Sequence, residues 1–159
     1  MKEISEEEAW YKVSALCSLS EHCLSEISDK MDKWAVAKDV QSRILKKLVE
    51  EKYIDEERYC KSFVHDKFAY NKWGKIKITK ELLFKKISLQ CIENQLSKID
   101  ETEYLEVLKY LLQAKKKTVR GKSEYEINGK LIRFALGRGF EMDAIRICLN
   151  AGDYEEIDS

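Results

Sequence analysis

The sequence predicts an all-α fold, a tandem array of three three-helix repeats with about nine helices, elongated and curved. Three observations lead there. The 159 residues contain no Pro and six Gly, while 36% are Asp, Glu, Lys or Arg; an average share of ~5% Pro would supply about eight. Chain-breakers this scarce cannot build the turns of a sandwich, barrel or doubly wound sheet. Apolar residues recur at helical spacing between recognisable start and stop signals. Finally, similar openings recur along the chain, at Ser5, Asp55 and Asp100.

The first helix runs from Ser5 to about Ser18, with Ser5 as N-cap, Glu8 completing a capping box, and Ala9, Val13, Leu16 and Cys17 as its inner stripe. Ser20 and Cys23 lead into a second helix marked by Leu24, Ile27 and Met31 and ending near Lys33. The third spans about Ala37 to Lys52, with Val40, Ile44, Leu45, Leu48 and Val49 inside. Asp55 caps the fourth, whose face is Tyr59, Cys60, Phe63, Val64 and Phe68 and whose end lies near Trp73-Gly74. The fifth runs from about Lys75 to Lys86 on Ile78, Leu82 and Leu83. Ser88 caps the sixth, which turns in Ile92, Leu96 and Ile99. Asp100 and Glu103 open the seventh, striped by Tyr104, Val107, Leu108, Leu111 and Leu112. Lys115-Lys116-Lys117 close it, where cations complement the macrodipole. The eighth extends from about Glu124 to Leu136, before Gly137-Arg138-Gly139, and the ninth from about Glu141 to Leu149. From Gly152 the chain reads as an acidic, frayed tail.

These helices group into repeat one (1–54), repeat two (55–99), repeat three (100–150) and the tail (151–159). Ile87, Ile92 and Leu96 each stand 53 residues before Phe140, Ile145 and Leu149. In repeat one Trp34, Val40 and Ile44 are read as the counterparts, with one extra residue in the turn. A period near 50 with three helices per unit is the signature of a helical array whose neighbours must stack for stability. The expected concave side is available to a partner.

Formal net charge is zero, yet residues 1–66 carry −4, residues 67–146 carry +8 and residues 147–159 carry −4. A basic middle suits an anionic partner. The Met1–Glu8 start has no apolar h-region and no apolar run approaches ~18 residues, so neither a secretory signal nor a membrane span is expected. Cys17, Cys23, Cys60, Cys91 and Cys148 are odd in number and scattered, with no CxxC pair and only His22 and His65 beside them. Buried free thiols in a reducing cytoplasm are expected, with no metal and no cofactor.

Candidate binding residues follow from charge and aromatic placement. Lys67, Lys72, Lys75, Lys77, Lys80, Lys85 and Lys86 face a single acid, Glu81, with Tyr70 and Trp73 interleaved. On a helical wheel Lys77 and Lys80 point away from the Ile78/Leu82 stripe, and Lys75 and Lys77 sit at a helix start whose unbonded N–H groups attract anions. Lys67, Lys72, Trp73, Lys75, Lys77 and Lys80 are therefore candidates for contact with phosphate or an acidic protein surface. Trp73 has two readings, stacking on a base or packing between helices. Arg120, Lys122, Lys130, Arg133, Arg138 and Arg146 form a looser second set. No catalytic residues are expected. Glu21 and Glu26 lie five apart and diverge by about 140° on a helix, and Gly137-Arg138-Gly139 lacks the strand and GK[ST] of a phosphate loop. Asp55 and Arg58 read as residues that fix the start of repeat two by capping or pairing.

The second unit carries a resemblance. Tyr53-Ile54-Asp55-Glu56-Glu57-Arg58-Tyr59-Cys60-Lys61-Ser62-Phe63-Val64, then Trp73-Gly74-Lys75-Ile76-Lys77-Ile78, Glu81-Leu82 and Lys86-Ile87 resemble the central repeat of the RecX family, regulators of the RecA recombinase. Glu21-His22-Cys23 with Glu26-Ile27 looks like that family's Arg-Glu-His-Ser followed by Glu-Leu. Arg138-Gly139-Phe140 with Asp143-Ala144-Ile145 is similar to its closing Arg-Gly-Phe motif. The match covers residues 5–150. It departs at Ser20, where the family has Arg, at Cys23, where it has Ser, and at Lys75, where it has the Pro after Gly74. The resemblance implies three tandem three-helix repeats, and the chain is expected to act as a monomer in the cytoplasm. It also implies docking on RecA–DNA filaments and suppression of ATP hydrolysis and strand exchange, in recombination and the SOS response, without catalysis. Contact with single-stranded DNA through the basic middle stays open. So do two rival readings, a stand-alone helix-turn-helix DNA-binding protein and a helical-repeat scaffold for another protein.

Overall fold

The computed structural model describes residues 4–158, with side chains described to residue 150. Among the described residues there are nine α-helices and no strand: α1 (Glu6–Leu19), α2 (Leu24–Lys33), α3 (Lys38–Glu50), α4 (Glu56–Ala69), α5 (Lys75–Phe84), α6 (Leu89–Leu96), α7 (Glu101–Lys116), α8 (Glu124–Gly137) and α9 (Met142–Asp158). Local chemistry starts them where the sequence signals lie. Side-chain oxygens of Ser5, Asp55, Ser88, Asp100 and Ser123 accept the N–H three residues on, at 3.0–3.2 Å. Each bond satisfies a donor that the first helical turn leaves open. At α2 the relation is reversed, and the Glu26 carboxylate accepts the Cys23 N–H at 3.1 Å.

The ends differ from the apolar spacing because the chain leaves several helices through the left-handed region. Lys52 (φ 62°) stops α3 at Glu50, Lys72 (φ 54°) follows the end of α4 at Ala69, and Lys86 (φ 63°) follows the end of α5 at Phe84. Conversely, α9 continues to Asp158, past Leu149 where the apolar stripe runs out. The frayed tail expected from Gly152 falls largely on residues whose side chains lie outside the description.

Backbone bonds reveal the repeat directly. The turn from second to third helix places Ala35, Lys86 and Gly139 at positive φ in the three repeats. The next residue then bonds five back: Val36 N–H to Met31 O, Ile87 N–H to Leu82 O and Phe140 N–H to Ala135 O, at 3.0, 3.0 and 3.1 Å. This is the Schellman closure of a helix C-terminus, made at the same turn of each repeat. It corrects the register expected for repeat one. Val36, not Trp34, is the counterpart of Ile87 and Phe140, no extra residue is present, and Gln41 occupies the place of Ile92 and Ile145. Gln41 is buried and fully engaged, donating to Val36 O (2.9 Å) and Asp32 Oδ1 (2.7 Å) and accepting from Ser28 (3.1 Å).

Packing divides the chain into two compact units. The first comprises residues 1–63 and 82–92. In it α3 packs on α1 and α2 around Ala9, Val13, Ile27, Met31, Ile44, Leu48 and Ile54. Ser25 Oγ donates to Lys85 O at 2.6 Å, and Lys85 Nζ pairs with Glu26 at 3.2 Å. The second unit comprises residues 64–81 and 93–159. There α7, α8 and α9 pack on one another, and Phe68, Tyr104 and Phe140 form a buried aromatic row with centroids 5.7 and 5.2 Å apart.

Candidate functional site

The first set of candidate residues lies in the second unit, at the α4–α5 turn. Its geometry follows from two glycines. Gly74 and Gly139 approach backbone to backbone: a Cβ on Gly74 would fall 2.3 Å from Gly139 C and O, and one on Gly139 would fall 2.3 Å from Lys77 Cβ. Gly139 also holds φ +93°, which only glycine takes without strain. The contact lets Gly74 N–H donate to Arg138 O (2.8 Å) and Ile76 N–H to Gly139 O (2.9 Å). Between them Lys75 N–H donates to the Tyr104 hydroxyl at 2.9 Å. That hydroxyl in turn donates to the Glu141 carboxylate. Burial, followed by the bond to Glu141, pushes the Tyr104 phenol well above its ordinary value, so it remains a donor.

The start of α5 is therefore not the open anion site that sequence suggested. Its first N–H groups are spent on the α8–α9 turn and on Tyr104. What the junction provides is rigidity for the side chains that emerge from it. Lys67 and Lys77 place their ammonium groups 4.9 and 4.5 Å from the Trp73 ring centroid, and Lys75 sits 4.7 Å from that of Tyr104. Trp73 is half-buried under these cations, which matches packing and cation–π contact better than an open stacking platform. Lys72 takes the left-handed turn position, and Lys80 is exposed on α5.

The second set is dispersed. Arg138 works inward, its guanidinium donating to Asn71 O and to Lys72 O (3.4 Å), two carbonyls left open beyond α4. Lys130 donates to Arg120 O at 2.5 Å and lies 3.8 Å from Glu126, while Arg146 stands 3.9 Å from Asp143. Arg120, Lys122 and Arg133 are exposed around the α7–α8 connection. The sequence reading missed Tyr104 and Glu141 as the pair that positions Lys75. Asp100 marks the helix, but nothing local marks a hydroxyl bridging residues 75 and 141.

The two carboxylates of repeat one go separate ways, Glu21 to Arg58 at 2.6 Å and Glu26 to Lys85 and the Cys23 N–H. Arg58 also donates to Lys52 O and Tyr53 O (3.3 and 3.4 Å), so with Asp55 it secures the start of α4. Burial pushes the Cys17 thiol up to about 11 and, with Cys91 beside it, the Cys60 thiol up to about 12. Neither is a thiolate nucleophile near neutrality. Among the described residues no group of three or more His, Cys, Asp or Glu is placed to hold a metal. No described helix is long and apolar enough to cross a membrane.

Comparison with known proteins agrees with this architecture. Residues 55–96 match the second three-helix domain of RecX and residues 101–149 the third. The protein is 26% identical over 143 residues to Regulatory protein RecX of Bacillus mycoides, covering 90% of this chain and 53% of that protein. It is 25% identical over 153 residues to the protein of the same name from Bacillus cytotoxicus, covering 96% and 57%. The chain thus spans about half the length of the curated relatives it matches. The fold is similar to a crystal structure of regulatory protein RecX (TM-score 0.84, 21% identity, 91% of this chain and 71% of that one). It is also similar to the crystal structure of RecX from Lactobacillus salivarius (TM-score 0.83, 20% identity, 94% and 97%). Consecutive matches to two named three-helix domains, on a fold that repeats one turn closure three times, establish that the chain belongs to the RecX family.

Proposed function

We propose that this protein regulates RecA recombinase, binding RecA–DNA filaments as a monomer in the cytoplasm and lowering their ATP hydrolysis and strand exchange during DNA repair and the SOS response. The observation that supports it most is the pair of consecutive RecX three-helix domains at residues 55–96 and 101–149. Geometry adds a docking element to this reading. The α4–α5 turn is fixed by the Gly74–Gly139 junction, and from it Lys77 and Lys80 emerge on one helix with Lys67 and Lys72 beside them. A rigid cationic turn loses little entropy on meeting an acidic protein surface or phosphate. The protein has no catalytic role in this reading and acts by contact alone.

The test is the ATPase rate of a preformed RecA filament on single-stranded DNA as the protein is titrated in, with a parallel series in excess DNA. Inhibition at less than one protein per RecA, unchanged by excess DNA, is the expected result. Inhibition abolished by more DNA would instead describe a stand-alone DNA-binding protein. No effect at any ratio would describe a scaffold for some other partner.

A further inference from the structure

The α7–α8 connection carries chemistry that the filament reading does not use. Residues 115–122 include Lys115, Lys116, Lys117, Arg120 and Lys122 and no acid. The segment is folded rather than splayed. Thr118 and Val119 N–H groups return to Lys115 O (2.9 and 3.1 Å), Lys122 N–H donates to Glu126 Oε2 (3.1 Å), and Lys130 Nζ donates to Arg120 O. A Cβ on Gly121 would fall 3.0 Å from Ile127 Cγ1, so the backbone lies directly against α8. With the backbone turned inward, the side chains of Lys117, Arg120 and Lys122 are left exposed.

Tyr125, in the first turn of α8, is 90% exposed, the most exposed aromatic among the described residues. Tyr125, Gly129 and Arg133 share one face of α8 at successive turns. Gly129 puts no side chain between the other two, and a Cβ there would meet only Arg133 Nη1, at 3.8 Å. Of the carboxylates in this turn, Glu126 is engaged by Lys122 N–H and Lys130, and Glu124 remains exposed. An uncovered aromatic side chain that follows a folded run of exposed cations matches what single strands require, a platform for a base with charges for the phosphates. Stacked duplex bases offer no free face to such a ring, whereas the unpaired bases of a single strand do.

We infer that the α7–α8 connection is a contact site for single-stranded nucleic acid, with Lys117, Arg120, Lys122 and Arg133 on phosphates and Tyr125 against a base. Its setting, a strand beside a filament, rests on the filament reading, but the binding itself needs no recombinase. The experiment is therefore fluorescence anisotropy of a labelled oligo-dT with the full chain alone, at several salt concentrations. The triple variant Lys117→Gln, Arg120→Gln, Lys122→Gln weakens binding at low salt by about tenfold or more and flattens the slope of log K against log salt by about 2, at ~0.7 per phosphate contact. Tyr125→Ala weakens binding by about tenfold at every salt concentration without changing the slope, and Tyr125→Phe restores it. All these side chains are exposed, so melting temperatures match wild type and loss of binding is not loss of fold. Wild type that does not bind the oligonucleotide, or either weakened variant binding as wild type does, overturns the inference. A triple variant that keeps the strand but no longer inhibits RecA assigns the segment to protein contact and overturns it too. Strand binding that responds as stated, with no effect on RecA ATPase, supports this site and removes the filament reading instead.

Discussion

Three glycines, Gly74, Gly137 and Gly139, carry different demands. Gly139 combines a left-handed backbone with a Cβ position already occupied by Lys77, and Gly74 faces carbonyl and amide atoms that have no room to withdraw. Gly137, at the end of α8, has nothing within 4 Å of its Cβ position. Gly139→Ala and Gly74→Ala are each expected to cost about 3 kcal/mol in urea denaturation, and Gly137→Ala to be neutral or stabilising by up to ~1 kcal/mol. Equal effects at all three would mean that the junction does not form. Glu56 offers a test of opposite sign. Burial raises its carboxyl above the ordinary value, against a lowering bond from the Leu24 N–H, and Glu26 raises it further; one of its oxygens is buried without a partner. An acid whose folded pKa is raised binds more protons folded than unfolded, so it costs stability at neutral pH and the cost disappears as pH falls through that value. Glu26 behaves oppositely. Burial would raise it, but the Cys23 N–H and Lys85 outweigh that, and its contribution is lost in acid. Glu56→Gln keeps the acceptor for Leu24 and removes the repulsion. A melting-temperature gain of about 1–3 °C at pH 7.5 that vanishes near pH 4 is expected from thermal melts.

At the scale of the elements, the turn between second and third helices is the recurring device, and it is built from unequal residues. Repeat three uses Gly139 at the left-handed position, whereas repeats one and two use Ala35 and Lys86 at φ 58° and 63°. A side chain costs about 1 kcal/mol there, so Lys86→Gly is expected to raise stability by about 0.5–1 kcal/mol in urea denaturation despite the extra freedom of the unfolded chain. A loss of stability would show that the Lys86 side chain contributes more than its backbone strain costs. This turn also shows what could be read from the sequence. Caps at Ser5, Asp55, Ser88 and Asp100 are local and name themselves, and so does the spacing of Ile87, Ile92, Phe140 and Ile145. The register of repeat one was hidden because Gln41 fills an apolar position through three hydrogen bonds, and a hydropathy pattern cannot count those. The start of α5 was hidden for a related reason. Its N–H groups are satisfied from residues 104, 138 and 139, beyond the reach of any local signal. Charge marked candidate segments, while the separate contacts of Lys75, Lys77 and Arg138 became visible only in the structure.

For the molecule as a whole, zero net charge conceals eight excess cations in residues 67–146, and the fold decides which of them can face a partner. Lys75 is committed to the Tyr104 ring and Arg138 to the carbonyls of Asn71 and Lys72. Reversing either charge would strike at packing as well as binding, and a loss of function could not be assigned. Lys80, exposed on α5, is the cleanest probe of the basic turn, and because the Lys77 ammonium also lies 4.5 Å from the Trp73 ring, the double reversal is read together with its melting temperature. Lys77→Glu with Lys80→Glu is expected to raise the concentration needed for half-inhibition of RecA ATPase by about tenfold, with the effect largest at low salt, because charges at an interface rim act chiefly through steering and are screened. Lys46→Glu, a reversal on an exposed α3 position that pairs only loosely with Glu50 at 3.9 Å, is the control and should inhibit as wild type does. A double variant that inhibits like the control, at unchanged helicity, would move the filament contact off the α4–α5 turn. A double variant and control that weaken together would show that the filament senses overall charge and not a particular surface.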